Sequence, residues 1–172
     1  MGQQAEPADE VDELVAAWGR VRPDLDVSPL QVLSRVGRLA RHLDLARRAT
    51  FSDNDMEPWE FDVLTALRRH GPPHQMSPGA LLSRTLVTSG TMTHRIDRLS
   101  DKGLVERLPD PHDRRGVLVR LTPAGRRRVD AALSALLDRE REILGALTPQ
   151  QQESLAGWLR TLVLPFDNAI DS

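Results

Sequence analysis

The stretch TSGTMTHRIDRLSDKGLVERLPDPHDRRGVLVRLTPAG, residues 88–125, decides the fold of this chain. In its first half, Met92, Ile96 and Leu99 recur at helical spacing, which predicts an amphipathic helix. Small hydroxyl residues open that helix, so its first turn can lie close against another surface. Gly103 is expected to end it, because glycine readily adopts the left-handed conformation found at helix C-termini.

Two short β-prone runs follow this glycine, at residues 104–108 and 117–121. Between them, the sequence PDPHDRRG sets two prolines and a glycine in a loop with two arginines at its tip. A helix, a strand, a basic loop and a second strand together form the plan of a winged helix-turn-helix. We therefore predict a mainly α fold in which a small β hairpin forms the wing.

Charge is unevenly distributed along the chain. Eleven Arg or Lys residues and five Asp or Glu residues lie between Arg84 and Arg128, an excess of six positive charges, whereas the whole chain has a net charge of −2. An arginine-rich run by itself is most often a solvated surface. Here the charge coincides with a helix that begins with small polar residues and with a basic loop tip, which favours contact with the phosphate backbone of DNA.

The same stretch resembles the MarR family of bacterial transcriptional regulators. Residues 113–116 (DRRG) and 121–125 (LTPAG) are similar to the wing signature of that family. Residues 89–99 (SGTMTHRIDRL) and 103–107 (GLVER) resemble its recognition helix and first wing strand. The resemblance runs from about residue 28 to residue 166 and implies a DNA-binding regulator, with repression as the family's common mode of action.

Helical patterns cover most of the remaining sequence, which we interpret as a single domain of 172 residues. Pro78 is expected to begin the first helix of the helix-turn-helix, with the turn at residues 85–88. The predicted segments are a disordered tail (1–8), an additional N-terminal helix (9–22), dimerisation helices (28–49 and 123–168) and the winged helix-turn-helix (57–122).

Apolar stripes on the C-terminal helices indicate a partner. A winged helix has too small a core to cover these stripes, so we predict a homodimer with two-fold symmetry. Such a dimer presents two recognition helices to the half-sites of a pseudo-palindromic operator in double-stranded DNA, about one helical turn apart. The stripes consist of Val129, Leu133, Leu136, Ile143 and Leu147, followed by Leu155, Trp158, Leu159, Leu162 and Phe166.

Candidate DNA-binding residues lie on the recognition helix and at the wing tip. Hydroxyl, imidazole and guanidinium groups can contact bases in the major groove or phosphates, and a wing arginine can enter a narrow minor groove. The candidates are Ser89, Thr91, Thr93, His94, Arg98, Arg114 and Arg115, with Arg115 favoured for the minor groove. Asp113 is expected to orient an arginine, to cap the loop, or to do both.

A ligand site is implied by a narrower resemblance, to the urate-responsive subgroup of the family, which shares an additional leading helix. That resemblance places candidate ligand residues at Trp18, Asp62 and Arg95. An aromatic plane, a carboxylate and an arginine suit a small anionic aromatic or purine-like effector such as urate. The alternative is structural: Trp18 anchors its helix, and Asp62, set in an apolar stretch where a carboxylate is costly unless paired, forms an ion pair with Arg95 or a neighbouring arginine.

Composition excludes several other classes. The chain has no cysteine, which removes disulfides, thiolate nucleophiles and thiol-based peroxide sensing. No phosphate-binding glycine loop, metal-ligand spacing or Ser/His/Asp cluster favours an enzyme, so we expect neither a cofactor nor a metal. Without a long apolar run or a signal-peptide pattern, we expect a cytoplasmic protein that does not bind membranes. The alternatives are a ligand-independent regulator and a winged helix that binds another protein, although the local positive charge argues against the second.

Overall fold

A computed structural model describes residues 8–85, 88–113 and 115–170. Much of the predicted tail, part of the predicted turn (Leu86 and Val87) and Arg114 lie outside the described residues. The helices are α1 (Glu10–Val21), α2 (Pro29–Asp53), α3 (Pro58–Arg69), α4 (Pro78–Thr85), α5 (Ser89–Asp101), α6 (Pro123–Leu144) and α7 (Pro149–Ile170). The strands are β1 (Gln75–Met76), β2 (Val105–Pro109) and β3 (Val117–Leu121). This arrangement confirms the mainly α fold with a minor β component.

The chain divides into two compact units, Met1–Ala49 and Thr50–Ser172. In the first unit, Arg35 of α2 joins the N-terminal end of α1, with Nε 2.9 Å from Asp9 Oδ2 and Nη2 2.8 Å from Asp12 Oδ1. The hydrogen bond from Arg35 holds the pKa of the Asp9 carboxyl below its ordinary value. Asp9 also caps α1 by accepting hydrogen bonds from the N–H groups of Val11 and Asp12.

The second unit contains the hydrophobic core, which α3, α4, α5, α6 and the strands enclose. Met92, Ile96 and Leu99 of α5 are buried in it, as their spacing predicted. Gly103 has a φ of 67°, the left-handed conformation expected after this helix. The rest of the core comes mainly from Leu and Val side chains, including Leu64, Leu67, Leu81, Val105, Val119 and Val129.

The wing is part of a three-stranded antiparallel sheet with the strand order β1-β3-β2. Val105 pairs with Leu121 and Pro109 with Val117, so β2 lies one residue later than the predicted strand at 104–108. The prediction of a two-stranded hairpin was incomplete, because Gln75 also pairs with Arg120 in β3. A strand of two residues is too short to show a periodic pattern in the sequence.

The end of the wing packs tightly against the start of α6 around Gly125. A Cβ atom at this position would lie 2.0 Å from the carbonyl oxygen of Leu104, so only glycine fits without a backbone shift. Thr122 fixes the same junction, since its hydroxyl donates to the carbonyl oxygen of Gly103 (2.7 Å) and accepts from the N–H of Gly125 (3.0 Å). The LTPAG segment therefore ties the sheet to the long helix that follows it.

The C-terminal helices are only partly covered within this chain. The sequence predicted that the apolar stripe of α6 needs a partner chain to cover it. In the structure, Val129 and Leu136 are buried in the core of this chain, whereas Leu133 is exposed. In α7, by contrast, Trp158 is 67% exposed and Phe166 is 72% exposed. No helix within the described ranges is long and apolar enough to cross a membrane.

Candidate DNA-binding surface

The first turn of α5 presents small polar side chains to solvent. Thr88 is its N-cap, and its hydroxyl oxygen accepts the N–H of Thr91 at 3.4 Å. Thr93 donates its hydroxyl to the carbonyl oxygen of Ser89 at 3.2 Å. The side chains of Ser89, Thr91, Thr93 and His94 are all exposed, so these four candidates share an accessible end of one helix.

One flank of α5 lies against the N-terminal end of α3. The guanidinium carbon of Arg98 is 4.9 Å from the centre of the Trp59 ring, and that of Arg95 is 5.5 Å from the same ring. Arg98 Nη2 also lies 3.4 Å from Glu57 Oε1. The candidate DNA contact Arg98 is therefore half-buried and stacked, with 42% of its side chain exposed, instead of extending freely into solvent.

Two further ion pairs fix the remainder of α5. Asp97 Oδ1 lies 2.7 Å from Nη2 of Arg107 in β2, which joins the recognition helix to the wing. Lys102, at the C-cap of the helix, places Nζ 2.7 Å from Oε1 of the buried Glu60 in α3. Helix α5 is thus held from the side of the wing and from the side of α3.

The wing loop is closed by its own backbone and by aspartates. The N–H of Asp110 donates to the carbonyl oxygen of Gly116 at 3.0 Å, and the N–H of Gly116 donates to the carbonyl oxygen of Asp113 at 2.8 Å. The Asp113 carboxylate accepts the backbone N–H of Arg115 at 2.9 Å, the loop-capping geometry considered above. Arg115 itself is exposed at the tip. The loop holds the backbone of this arginine in place while leaving its side chain accessible.

The candidate ligand residues belong to different parts of the molecule. Trp18 lies on α1 in the unit Met1–Ala49 and is 45% exposed. Asp62 on α3 and Arg95 on α5 belong to the unit Thr50–Ser172. Asp62 is exposed, so the cost of burying a carboxylate, which first drew attention to this residue, does not apply. Within the described ranges, no cluster of three or more His, Asp or Glu side chains could hold a metal ion.

Three residues in α3 and its cap contact α5 or its C-cap and were not anticipated from the sequence: Glu57, Trp59 and Glu60. Glu60 is 1% exposed, and its Oε2 accepts the backbone N–H of Glu57 at 3.0 Å. The sequence carries a signal for this cap, since a carboxylate three residues after a helix-capping residue is typical of a capping box. The contacts of Trp59 and Glu60 with α5 join residues about forty positions apart and have no local pattern.

This chain is similar to known transcriptional regulators. A family model described as the MarR family matches residues 54–116, which include α3, α4, α5 and most of the wing. The transcriptional regulator PecS from Dickeya dadantii is 33% identical to this chain over 150 residues, which cover 87% of this chain and 90% of PecS. PecS is described as a transcriptional regulator.

Solved structures show the same architecture. A mutant of MarR from Escherichia coli in complex with operator DNA is 27% identical, with a TM-score of 0.63, and the match covers 91% of this chain and 99% of MarR. BpsR from Bordetella bronchiseptica, described by the regulation of its DNA binding by 6-hydroxynicotinic acid, is 30% identical with a TM-score of 0.57, and the match covers 74% of this chain and 98% of BpsR. The family match, the extent of the PecS similarity and the winged helix agree: this chain belongs to the MarR family of winged helix-turn-helix transcriptional regulators.

Proposed function

We propose that this regulator is a homodimeric repressor that binds a pseudo-palindromic operator through α5 and the wing, and that a small anionic aromatic or purine-like ligand releases it. The observation that carries the DNA contact is the joint placement of an exposed polar helix end and an exposed arginine tip on one framework. The ion pair between Asp97 and Arg107 connects α5 to strand β2 of the wing. A helix suited to the major groove and an arginine suited to the minor groove thus belong to one framework and can contact the same stretch of DNA.

Homodimer formation is supported by α7. This helix exposes several large apolar side chains, and an apolar patch of this kind commonly marks a protein interface. The exposed residues are Trp158, Leu162, Val163 and Phe166. A second copy would cover equivalent residues on both chains, as a two-fold interface requires. The same symmetry would pair two copies of α5 with two half-sites of DNA.

Release by a ligand has a parallel in a structural neighbour. BpsR, a structural neighbour, is described by the regulation of its DNA binding by 6-hydroxynicotinic acid, an anionic aromatic molecule. In this chain, the candidate residues remain Trp18, Asp62 and Arg95. Arg95 already stacks against an aromatic ring, so its guanidinium can take part in such contacts. Any ligand shifts the equilibrium only by its difference in affinity for the DNA-binding and non-binding states.

The decisive test is fluorescence anisotropy with labelled DNA duplexes from the region upstream of the regulator's own gene and from an unrelated region. We expect tighter binding to the first duplex and a binding constant that falls steeply with salt concentration. Equal and weak binding to both, with no duplex selected from a pool of random sequences, would indicate that the winged helix serves another purpose, such as binding a protein. Titrating urate, related purines and aromatic carboxylates into the complex tests release; a complex that none of them dissociates would indicate a ligand-independent regulator.

Two variants test the effector site apart from the DNA contact. Asp62→Asn removes the charge of an exposed side chain and is expected to reduce ligand-induced release more than it reduces DNA affinity. Trp18 belongs to the other unit, and Trp18→Ala is also expected to reduce ligand-induced release. Variants that retain the full ligand response would remove Trp18 and Asp62 from the effector site.

A further inference from the structure

Trp59 occupies a specific position at the start of α3. The ring packs against the hydrophobic core while remaining partly exposed, and its Nε1–H donates to Glu57 Oε2 at 3.2 Å. Its neighbours in the sequence, Glu60 and Phe61, are buried. The indole is therefore fixed on its inner side by packing and at its polar edge by a hydrogen bond, which leaves part of the ring available to another residue.

Two arginines of the recognition helix lie against this one ring. Arg95 and Arg98 are three positions apart and so lie on the same side of α5, where a single aromatic side chain can contact both. Glu57 completes the arrangement: Oε2 accepts from Trp59, and Oε1 lies 3.4 Å from Nη2 of Arg98. One carboxylate thus connects the ring to an arginine stacked on it.

A stacked guanidinium remains able to bind DNA. Contact with an aromatic face stabilises the positive charge, and the N–H groups that point away from the ring stay available to DNA. In Arg98, one weak contact with Glu57 uses a single nitrogen, so its other N–H groups can donate to a phosphate or a base. An arginine that is already positioned also loses less side-chain freedom on binding than one that moves freely in solvent.

We propose that Trp59, supported by Glu57, is a positioning residue for DNA recognition: it holds Arg95 and Arg98 in the orientation in which α5 meets DNA. This inference rests on the proposed DNA-binding function. It assigns a specific role to a side chain outside the recognition helix and the wing. Trp59 itself need not touch the DNA, because it acts through the two arginines.

The test is a double-mutant cycle that uses the full chain and a duplex selected for binding to the wild-type protein from a pool of random sequences. Trp59→Leu removes the aromatic face and is expected to weaken binding about five- to thirtyfold, because two arginines must then be ordered when the DNA binds. In a background that already carries Arg95→Ala and Arg98→Ala, the same change is expected to cost less than about twofold. Trp59→Phe keeps an aromatic face and is expected to retain most of the affinity.

The outcomes separate this proposal from its premise. If no duplex is selected by the wild-type protein, the DNA-binding function fails and the positioning role fails with it. If the wild type binds but Trp59→Leu weakens binding equally in both backgrounds, Trp59 acts through general stability, and the positioning role is wrong while DNA binding stands. If Trp59→Leu does not fold, the same cycle is made with Trp59→Phe. A small loss of DNA affinity that occurs only when Arg95 and Arg98 are present supports the positioning role. An equal loss of affinity in both backgrounds overturns it.

Discussion

Lys102 and Glu60 form an ion pair of 2.7 Å in which the carboxylate is 1% exposed and the lysine side chain is 42% exposed. The pair joins the end of the recognition helix to the first turn of α3. Glu60 has a second partner, the backbone N–H of Glu57, so both of its oxygens are engaged. A buried carboxylate is tolerated here because one oxygen meets a cation and the other meets a helix N-terminus.

Loss of the lysine charge should therefore destabilise the fold. We expect Lys102→Met to lower the free energy of unfolding by about 1–3 kcal/mol, which is less than for a fully buried pair because water reaches the lysine. Urea denaturation at neutral pH measures the change. Adding Glu60→Gln should recover part of the loss, since the amide oxygen can still accept the Glu57 N–H. A Lys102→Met variant as stable as the wild type would show that the pair contributes no net stability.

The wing tip offers a cleaner test of DNA contact. Arg115 is exposed, so Arg115→Ala should leave thermal unfolding unchanged. Operator binding should weaken by about 1–3 kcal/mol if the side chain contacts a base edge or a narrow groove. The slope of the logarithm of the binding constant against the logarithm of the salt concentration should decrease in magnitude by about one. Anisotropy titrations at several salt concentrations measure both quantities.

A control for total charge is available on α6. Arg139 is exposed and pairs with Glu142 within its own helix, far along the sequence from the wing. Arg139→Ala removes the same charge and is expected to leave operator affinity nearly unchanged. Equal effects of the two substitutions would mean that Arg115 contributes only to the general positive charge of the protein.

The sequence predicted the features that local chemistry encodes. The α5 stripe and the left-handed Gly103 each depend on neighbouring residues or on a fixed period, and the structure contains both. Leu136 was misassigned to an exposed stripe because helical spacing marks an apolar side but does not distinguish a core from an interface. The sequence likewise assigned the candidate DNA residues to α5 and the wing, but it did not predict which side chains these residues contact.

Contacts between segments that are distant in the chain could not be predicted from the sequence. The stacking of Arg98 on Trp59 and the pairing of Glu60 with Lys102 depend on how α3 packs against α5. Strand β1 was missed because two residues show no alternation. In each case, the determining neighbour is close in space and remote in the chain.

The junction between wing and α6 should tolerate only glycine at position 125. Gly125→Ala would bring a methyl group to 2.0 Å from the Leu104 carbonyl oxygen, so the backbone must move, at a cost of about 1–3 kcal/mol or more. Gly19→Ala is the matched control, since no atom lies within 4 Å of its added Cβ and it lies inside α1. We expect the control to be neutral or slightly stabilising, because alanine favours helix. Thermal unfolding of both variants measures the difference, and equal stability would contradict the close approach.

Dimerisation through the C-terminal helices is best tested with two leucines in opposite environments. Leu162 on α7 is 48% exposed in this chain, so Leu162→Asp should leave each chain folded but place a charge in the proposed interface and dissociate the dimer. Leu136 is 5% exposed within the core, so Leu136→Asp should unfold the chain itself by burying an unpaired carboxylate. Light scattering reports the mass and circular dichroism reports the helix content of each variant. A wild-type protein that is monomeric at micromolar concentration, or a Leu162→Asp protein that stays dimeric, would rule out an interface that depends on this part of α7.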